Sequence, residues 1–104
     1  MDIDELKIVD VENILSNVPD HFVVVFQHVD GYKLTYSNVS HGSLDTIIFL
    51  DTFHSPIIVH DLELITSQVP EDRYISFCCS SKRLVLANYE YNKTFITLFF
   101  KDEQ

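Results

Sequence analysis

His21-Phe-Val-Val-Val-Phe-Gln-His-Val29 is followed by Asp30-Gly31 and then by Tyr32-Lys-Leu-Thr-Tyr-Ser37. The first run is β-branched and aromatic and apolar on both faces at period two, which fits an interior strand covered on both sides. Asp30-Gly31 offers the two positive-φ positions of a tight hairpin turn, and the second run returns with Tyr32, Leu34 and Tyr36 facing one way. An antiparallel hairpin is therefore expected over 21–37. On its N-terminal side Val11, Ile14, Leu15 and Val18 share one face after Asp10, which predicts a helix at about 10–18, capped by Asp10 and stopped by Pro19. Asp2 and Glu5 have capping-box spacing for a short first turn.

On the C-terminal side, Leu44 to Leu50 and Ile57 to His60 read as further strands, separated by a Ser55-Pro56 break. Leu62 to Val69 fits either a second helix capped by Asp61 and ended at Pro70 or another strand. The last third reads as a meander of Arg73 to Cys79, Arg83 to Tyr89 and Thr94 to Phe100, with turns around Ser80-Ser81 and Tyr91-Asn92. Short connections make such strands antiparallel neighbours. The expectation is an α+β single domain over residues 1–104, an antiparallel sheet of about five or six strands with one or two helices on one face. No internal repeat, linker or low-complexity segment is apparent.

Of the 104 residues, 46 % are hydrophobic and 22 % charged, proportions that exclude a disordered tail. No apolar run is long enough for a membrane helix, and the first twenty residues carry six acids, the opposite of a basic secretory leader. A cytoplasmic location is expected. Sixteen acids against seven bases give a formal net charge of −9. The imbalance is uneven, because Lys7 and Lys33 are the only Lys or Arg residues before Arg73, while Arg73, Lys82, Arg83, Lys93 and Lys101 crowd the last third. A field of that sign disfavours direct binding to nucleic acid or an anionic membrane and attracts basic protein surfaces.

Cys78 and Cys79 are adjacent, so on a strand they point to opposite faces and read as reduced, buried small hydrophobes rather than a disulfide or a zinc pair. Gly31 and Gly42 stand alone, which excludes a phosphate loop, a dinucleotide fingerprint and a nucleophile elbow. His41, His54 and His60, with Asp51 and Asp61, lack the spacing that forces two imidazoles onto one metal. Neither metal nor cofactor is expected, and an enzyme that uses these histidines ranks third among the readings.

Carboxylate spacing points elsewhere. On a strand, residues i and i+2 share a face about 6.6 Å apart, close to the separation of successive phosphates. Asp61 with Glu63, and Asp2 with Asp4, have that spacing if extended. The candidate partner-binding set is Asp10, Glu12, Asp20, Asp45, Asp51, Asp61, Glu63, Glu71 and Asp72. Aromatic anchors are sought among Tyr32, Tyr36, Phe53 and Tyr91, because contact through charge alone is easily screened by salt.

Val9-Asp-Val-Glu-Asn-Ile-Leu-Ser-Asn-Val-Pro-Asp-His-Phe-Val-Val-Val25 resembles the segment of staphylococcal-type uracil-DNA glycosylase inhibitors in which an acidic helix ends at a Pro-Asp pair and leads into an aromatic-led strand. Arg83-Leu-Val-Leu-Ala-Asn-Tyr89 is similar in rhythm to the same family. The resemblance implies a small acidic protein of a phage or mobile element, a sheet with two helices that mimics DNA. Glu12 carries over from the family's acidic helix, with Pro19 and Asp20 marking the turn, while Val9-Asp10-Val11 stands where the family has Glu-Ser-Ile. The leading expectation is a non-enzymatic inhibitor that blocks a basic nucleic-acid-processing enzyme, whether a uracil-DNA glycosylase, a CRISPR nuclease or a restriction enzyme. The alternative is a protein-binding module of the immunity or assembly kind, whose sheet edge pairs with a partner or with itself as a homodimer.

Overall fold

The computed structural model describes residues 6–103. Two helices, α1 (Ile8–Leu15) and α2 (Val59–Thr66), alternate with strands β1 (Val23–His28), β2 (Lys33–His41), β3 (Asp45–Asp51), β4 (Ile57–Ile58), β5 (Tyr74–Cys79), β6 (Lys82–Tyr91) and β7 (Phe95–Asp102). The sheet order is β2-β3-β5-β6-β7-β1-β4, and β1 also pairs with β2, so that six strands close into a barrel. The α+β class holds. The expected all-antiparallel sheet does not, because β3 runs parallel to β5 and β7 runs parallel to β1.

The chain is one unit used twice. In the segment 8–19, Asp10-x-Glu12-x-Ile14-x-Ser16-x-Val18-Pro19 recurs as Asp61-x-Glu63-x-Ile65-x-Ser67-x-Val69-Pro70. Each copy is followed by three strands with matching register. Phe26 faces Leu34 across β1 and β2, as Phe77 faces Leu84 across β5 and β6. The β2–β3 ladder slips between Tyr36 and Asn38, and the β6–β7 ladder slips between Leu86 and Asn88. The parallel seams start at Asp45 beside Tyr74 and at Phe95 beside Val23. Even the entry bonds repeat, since Val59 N–H donates to Phe22 O and Ile8 N–H to Arg73 O. The expectation of no internal repeat is thus corrected. The strands of the two copies share pattern and register more than residue identity, which hides the duplication outside the helices.

Both helices begin two residues before their aspartate. Asp10 and Asp61 are therefore not N-caps; each sits in the first turn and accepts the backbone N–H of the residue before the helix, Lys7 at 2.8 Å and Ile58 at 3.3 Å. A carboxylate there satisfies an orphan donor and lies at the positive end of the helix dipole. Ile8, Val11 and Leu15 are buried from α1, and Val59, Leu62 and Thr66 from α2, the one-stripe spacing of an amphipathic helix. The open choice over 62–69 is resolved as helix to Thr66 and turn over 67–69, and the strand expected over Ile57 to His60 is corrected, because only Ile57–Ile58 pairs with β1 while Val59 and His60 open α2. Each helix starts beside the strand that opens one unit and belongs to the other. α2 ends where Gln68 meets His41 at the far end of β2, which places the helix over the gap where β2 splays from β1.

The core is one cluster drawn from both helices and the inward residues of the barrel. Phe26, Phe77 and Phe100 sit at its centre, with ring centroids 6.5, 6.2 and 4.7 Å apart in pairs. Interior strand β1 alternates fully buried residues with half-buried Val23, Val25 and Gln27.

The hairpin turns exchange roles relative to the sequence reading. Gly31 has a positive φ of 109°, while Asp30 does not; the two consecutive positive-φ residues are Ser80 (50°) and Ser81 (68°), between β5 and β6. Serine pays a Cβ penalty there that Asn-Gly largely avoids. The double substitution Ser80→Asn, Ser81→Gly should raise stability by about 1 kcal/mol in denaturant titration; an unchanged midpoint would contradict this reading of the turn.

Candidate acidic interface on the paired helices

α1 and α2 pack against one another, which brings equivalent acids from the two copies together. Burial, most of all, raises the Glu63 carboxyl above its ordinary range, followed by a hydrogen bond and repulsion from Asp20 and by repulsion from Glu12, with His60 opposing. Glu12, Asp20 and Glu63 therefore share one field. His60 belongs to the same group, with Nδ1 3.9 Å from the Asp20 carboxylate and its backbone N–H donating to Asp20 O. Glu71 occupies the turn after α2 as Asp20 does after α1, and its backbone O accepts Val9 N–H in the equivalent bond. A raised carboxyl pKa favours the proton-bound native state. Glu63 therefore costs stability as pH rises from the ordinary glutamate value through its raised native value, and the cost persists above that window. Glu63→Gln should raise Tm at pH 7 and leave it unchanged at pH 3; equal Tm values for the two proteins at both pH values would contradict the raised Glu63 carboxyl.

The other expected site residues lie apart from this group or serve the fold. Asp61 and Glu63 are not a phosphate-spaced ladder, because on a helix residues i and i+2 do not share a face. Asp2 and Asp4, with the Asp2–Glu5 capping pair, lie outside the described residues. Asp45 opens β3 and Asp51 closes it, at opposite ends of one strand. Asp51 holds its turn: it accepts Phe53 N–H at 2.8 Å and lies 3.0 Å from His54 Nε2. The Phe53 bond is the main reason its carboxyl falls below the ordinary range. Asp72 is exposed in the turn before β5.

Among the aromatics, Phe53 (89 % exposed) and Tyr91 (58 %) are available as anchors. Tyr36 is not, because on the inward side of β2 it packs against the core. Tyr32 is exposed but stacks on His28 with centroids 4.5 Å apart.

His41, His54 and His60 stand at three separate places, bonded to Thr46 and Gln68, to Asp51, and beside Asp20 respectively. Among the described residues, no three His, Cys, Asp or Glu side chains gather in a way that could hold a metal ion. A different histidine, His28, was not singled out by sequence. It is 3 % exposed at the end of β1, accepts Asp30 N–H at Nδ1 (3.1 Å) and so donates from Nε2 to Asp102 (3.0 Å). Both ring nitrogens are occupied, which makes His28 a lock across the barrel end rather than a general base. Burial pushes the Cys78 thiol up, with Arg83 only partly opposing, and this holds it as a thiol.

Beside Cys78, an open groove of about 560 Å³ runs along the outside of the β3–β5 seam, lined by Leu44, Ile47, Tyr74 and Arg83 among others. No helix of the described residues is long and apolar enough to cross a membrane. Comparison with protein-family models, with curated proteins and with solved structures found no match.

Proposed function

We propose that this chain is a small acidic inhibitor, without enzymatic activity of its own, that docks the face around Glu12, Asp20 and Glu63 onto the basic nucleic-acid-binding site of another protein. The observation that carries the reading is the gathering of Glu12, Asp20 and Glu63 on the packed helix pair, where burial first, and then Asp20 and Glu12, raise the Glu63 carboxyl. Repelling charges held together on the surface make a strong local field, and such a field steers a basic partner. The resemblance of the 9–25 segment to uracil-DNA glycosylase inhibitors supports the same direction, as does the net charge of −9. Glu71, Asp10 and Asp61 add to the field from the turns and first helical turns, and Phe53 and Tyr91 are the apolar anchors on offer. A cytoplasmic setting fits two free cysteines, since thiols persist where the compartment is reducing.

The reading is tested by adding purified protein to bacterial extract and following uracil excision, restriction cleavage and RNA-guided cleavage of labelled DNA. One of these activities is expected to fall to baseline at a fixed protein-to-enzyme ratio. If none responds at a large excess of protein, the inhibitor reading fails and the immunity or assembly module takes its place.

A further inference from the structure

The two seams that join the copies have the same register but different covalent histories. Seam β3–β5 pairs Asp45 to Leu50 with Tyr74 to Cys79, and the chain passes from one copy to the other through residues 52–56. Seam β7–β1 pairs Phe95 to Phe100 with Val23 to His28 in the equivalent register, yet no peptide link joins Asp102 to Lys7. One of two equivalent junctions thus forms without a covalent connection. The link at the other junction also contributes little to it. Residues 52–56 are all exposed, and the hydrogen bonds of Phe53 and His54 go to Asp51 and Thr35, in the first copy only.

We propose that the surface joining the copies recognises another such unit whichever chain supplies it, so that a second copy of this protein is a partner through exchange of units. Residues 6–51 of one molecule then complete 57–102 of another, with the same seams, the same helix pair and the same core. Nothing new is buried in such a dimer. Its population depends on concentration against the effective concentration set by the 52–56 link, which for a short connection is of millimolar order. The exchanged dimer carries two helix pairs and two acidic faces, though its existence does not rest on what those faces bind.

The test uses two full-length variants. One carries Val24→Asp and Phe26→Asp, the other Ile75→Asp and Phe77→Asp, at equivalent positions that are 1–3 % exposed. Each puts two unpaired charges into the shared core and should be unfolded alone by circular dichroism, since every barrel it can build contains a damaged copy. Mixed at about 0.1 mM, a tenth of a millimolar effective concentration, the two should form a 1:1 complex by light scattering. Roughly half of the wild-type ellipticity should return, because one intact barrel forms for every two chains. An independent measurement needs no substitution: wild-type protein refolded from denaturant at above about 1 mM should yield dimers on gel filtration, and monomers at about 10 µM. A mixture that stays unfolded, or wild-type protein that refolds only to monomer at both concentrations, overturns the proposal.

Discussion

Phe100→Ala is expected to lower the free energy of unfolding by about 3–5 kcal/mol, the range for deleting a fully buried aromatic from a core that cannot collapse around the gap. Phe100 has no exposed surface and touches both Phe26 and Phe77, one from each copy, so the cavity opens at the centre of the barrel. At about 4–8 °C per kcal/mol for a domain of this size, Tm should fall by roughly 12–40 °C. Phe26→Ala and Phe77→Ala occupy equivalent positions and should cost the same within about 1 kcal/mol. A loss below about 1 kcal/mol for Phe100→Ala in urea titration would mean that the aromatic cluster is not the core, and strongly unequal costs for the other two would mean that the copies are not equivalent.

The second large effect concerns binding. Reversing Glu12, Asp20, Glu63 and Glu71 to Lys together moves the formal net charge from −9 to −1, each reversal adding two units. Association with a basic partner should slow by roughly 10- to 1,000-fold, the span over which a focused surface field alters encounter rates, and dissociation should change less. Asp10 and Asp61 are left in place on purpose. Their carboxylates accept backbone N–H groups at the helix starts, and reversing either should cost about 1 kcal/mol of stability, an effect on the fold and not on recognition. Stopped-flow association with a basic partner enzyme separates the two cases. An unchanged rate in the fourfold variant would put the docking surface elsewhere, with the groove at Leu44, Tyr74 and Arg83 the next surface to test.

Local patterning was legible in the sequence, whereas the long-range joins were not. The hairpin over 21–37 and the meander from Arg73 follow from period-two runs and short connections, and both form. The parallel seams unite strands far apart in the chain, which no turn announces. Their one local trace is that His21 to Val29 is apolar on both faces, as strands with parallel neighbours tend to be. The duplication was written openly in Asp10-x-Glu12-x-Ile14 and Asp61-x-Glu63-x-Ile65, but is diluted by strands such as Val23–His28 and Tyr74–Cys79, which share little beyond Phe26 and Phe77. At the candidate site the acids themselves were legible and their grouping was not. The pairing of Asp61 with Glu63 presupposed a strand, and once 59–66 is helical, Glu63 turns instead toward Asp20 and Glu12 from the other copy. His28 escaped notice because its partner Asp102 lies at the far end of the chain.

The central claim, that the acidic helix pair stands in for nucleic acid on a basic protein, is tested most directly by displacement. Protein immobilised on a resin is loaded with a basic nucleic-acid-processing enzyme that it retains and washed with either duplex DNA or polyglutamate of equal total charge. Duplex DNA should release the enzyme and polyglutamate should release far less, because only the duplex competes for the same shaped site. Enzyme that stays bound at saturating DNA while remaining able to bind that DNA would contradict the account.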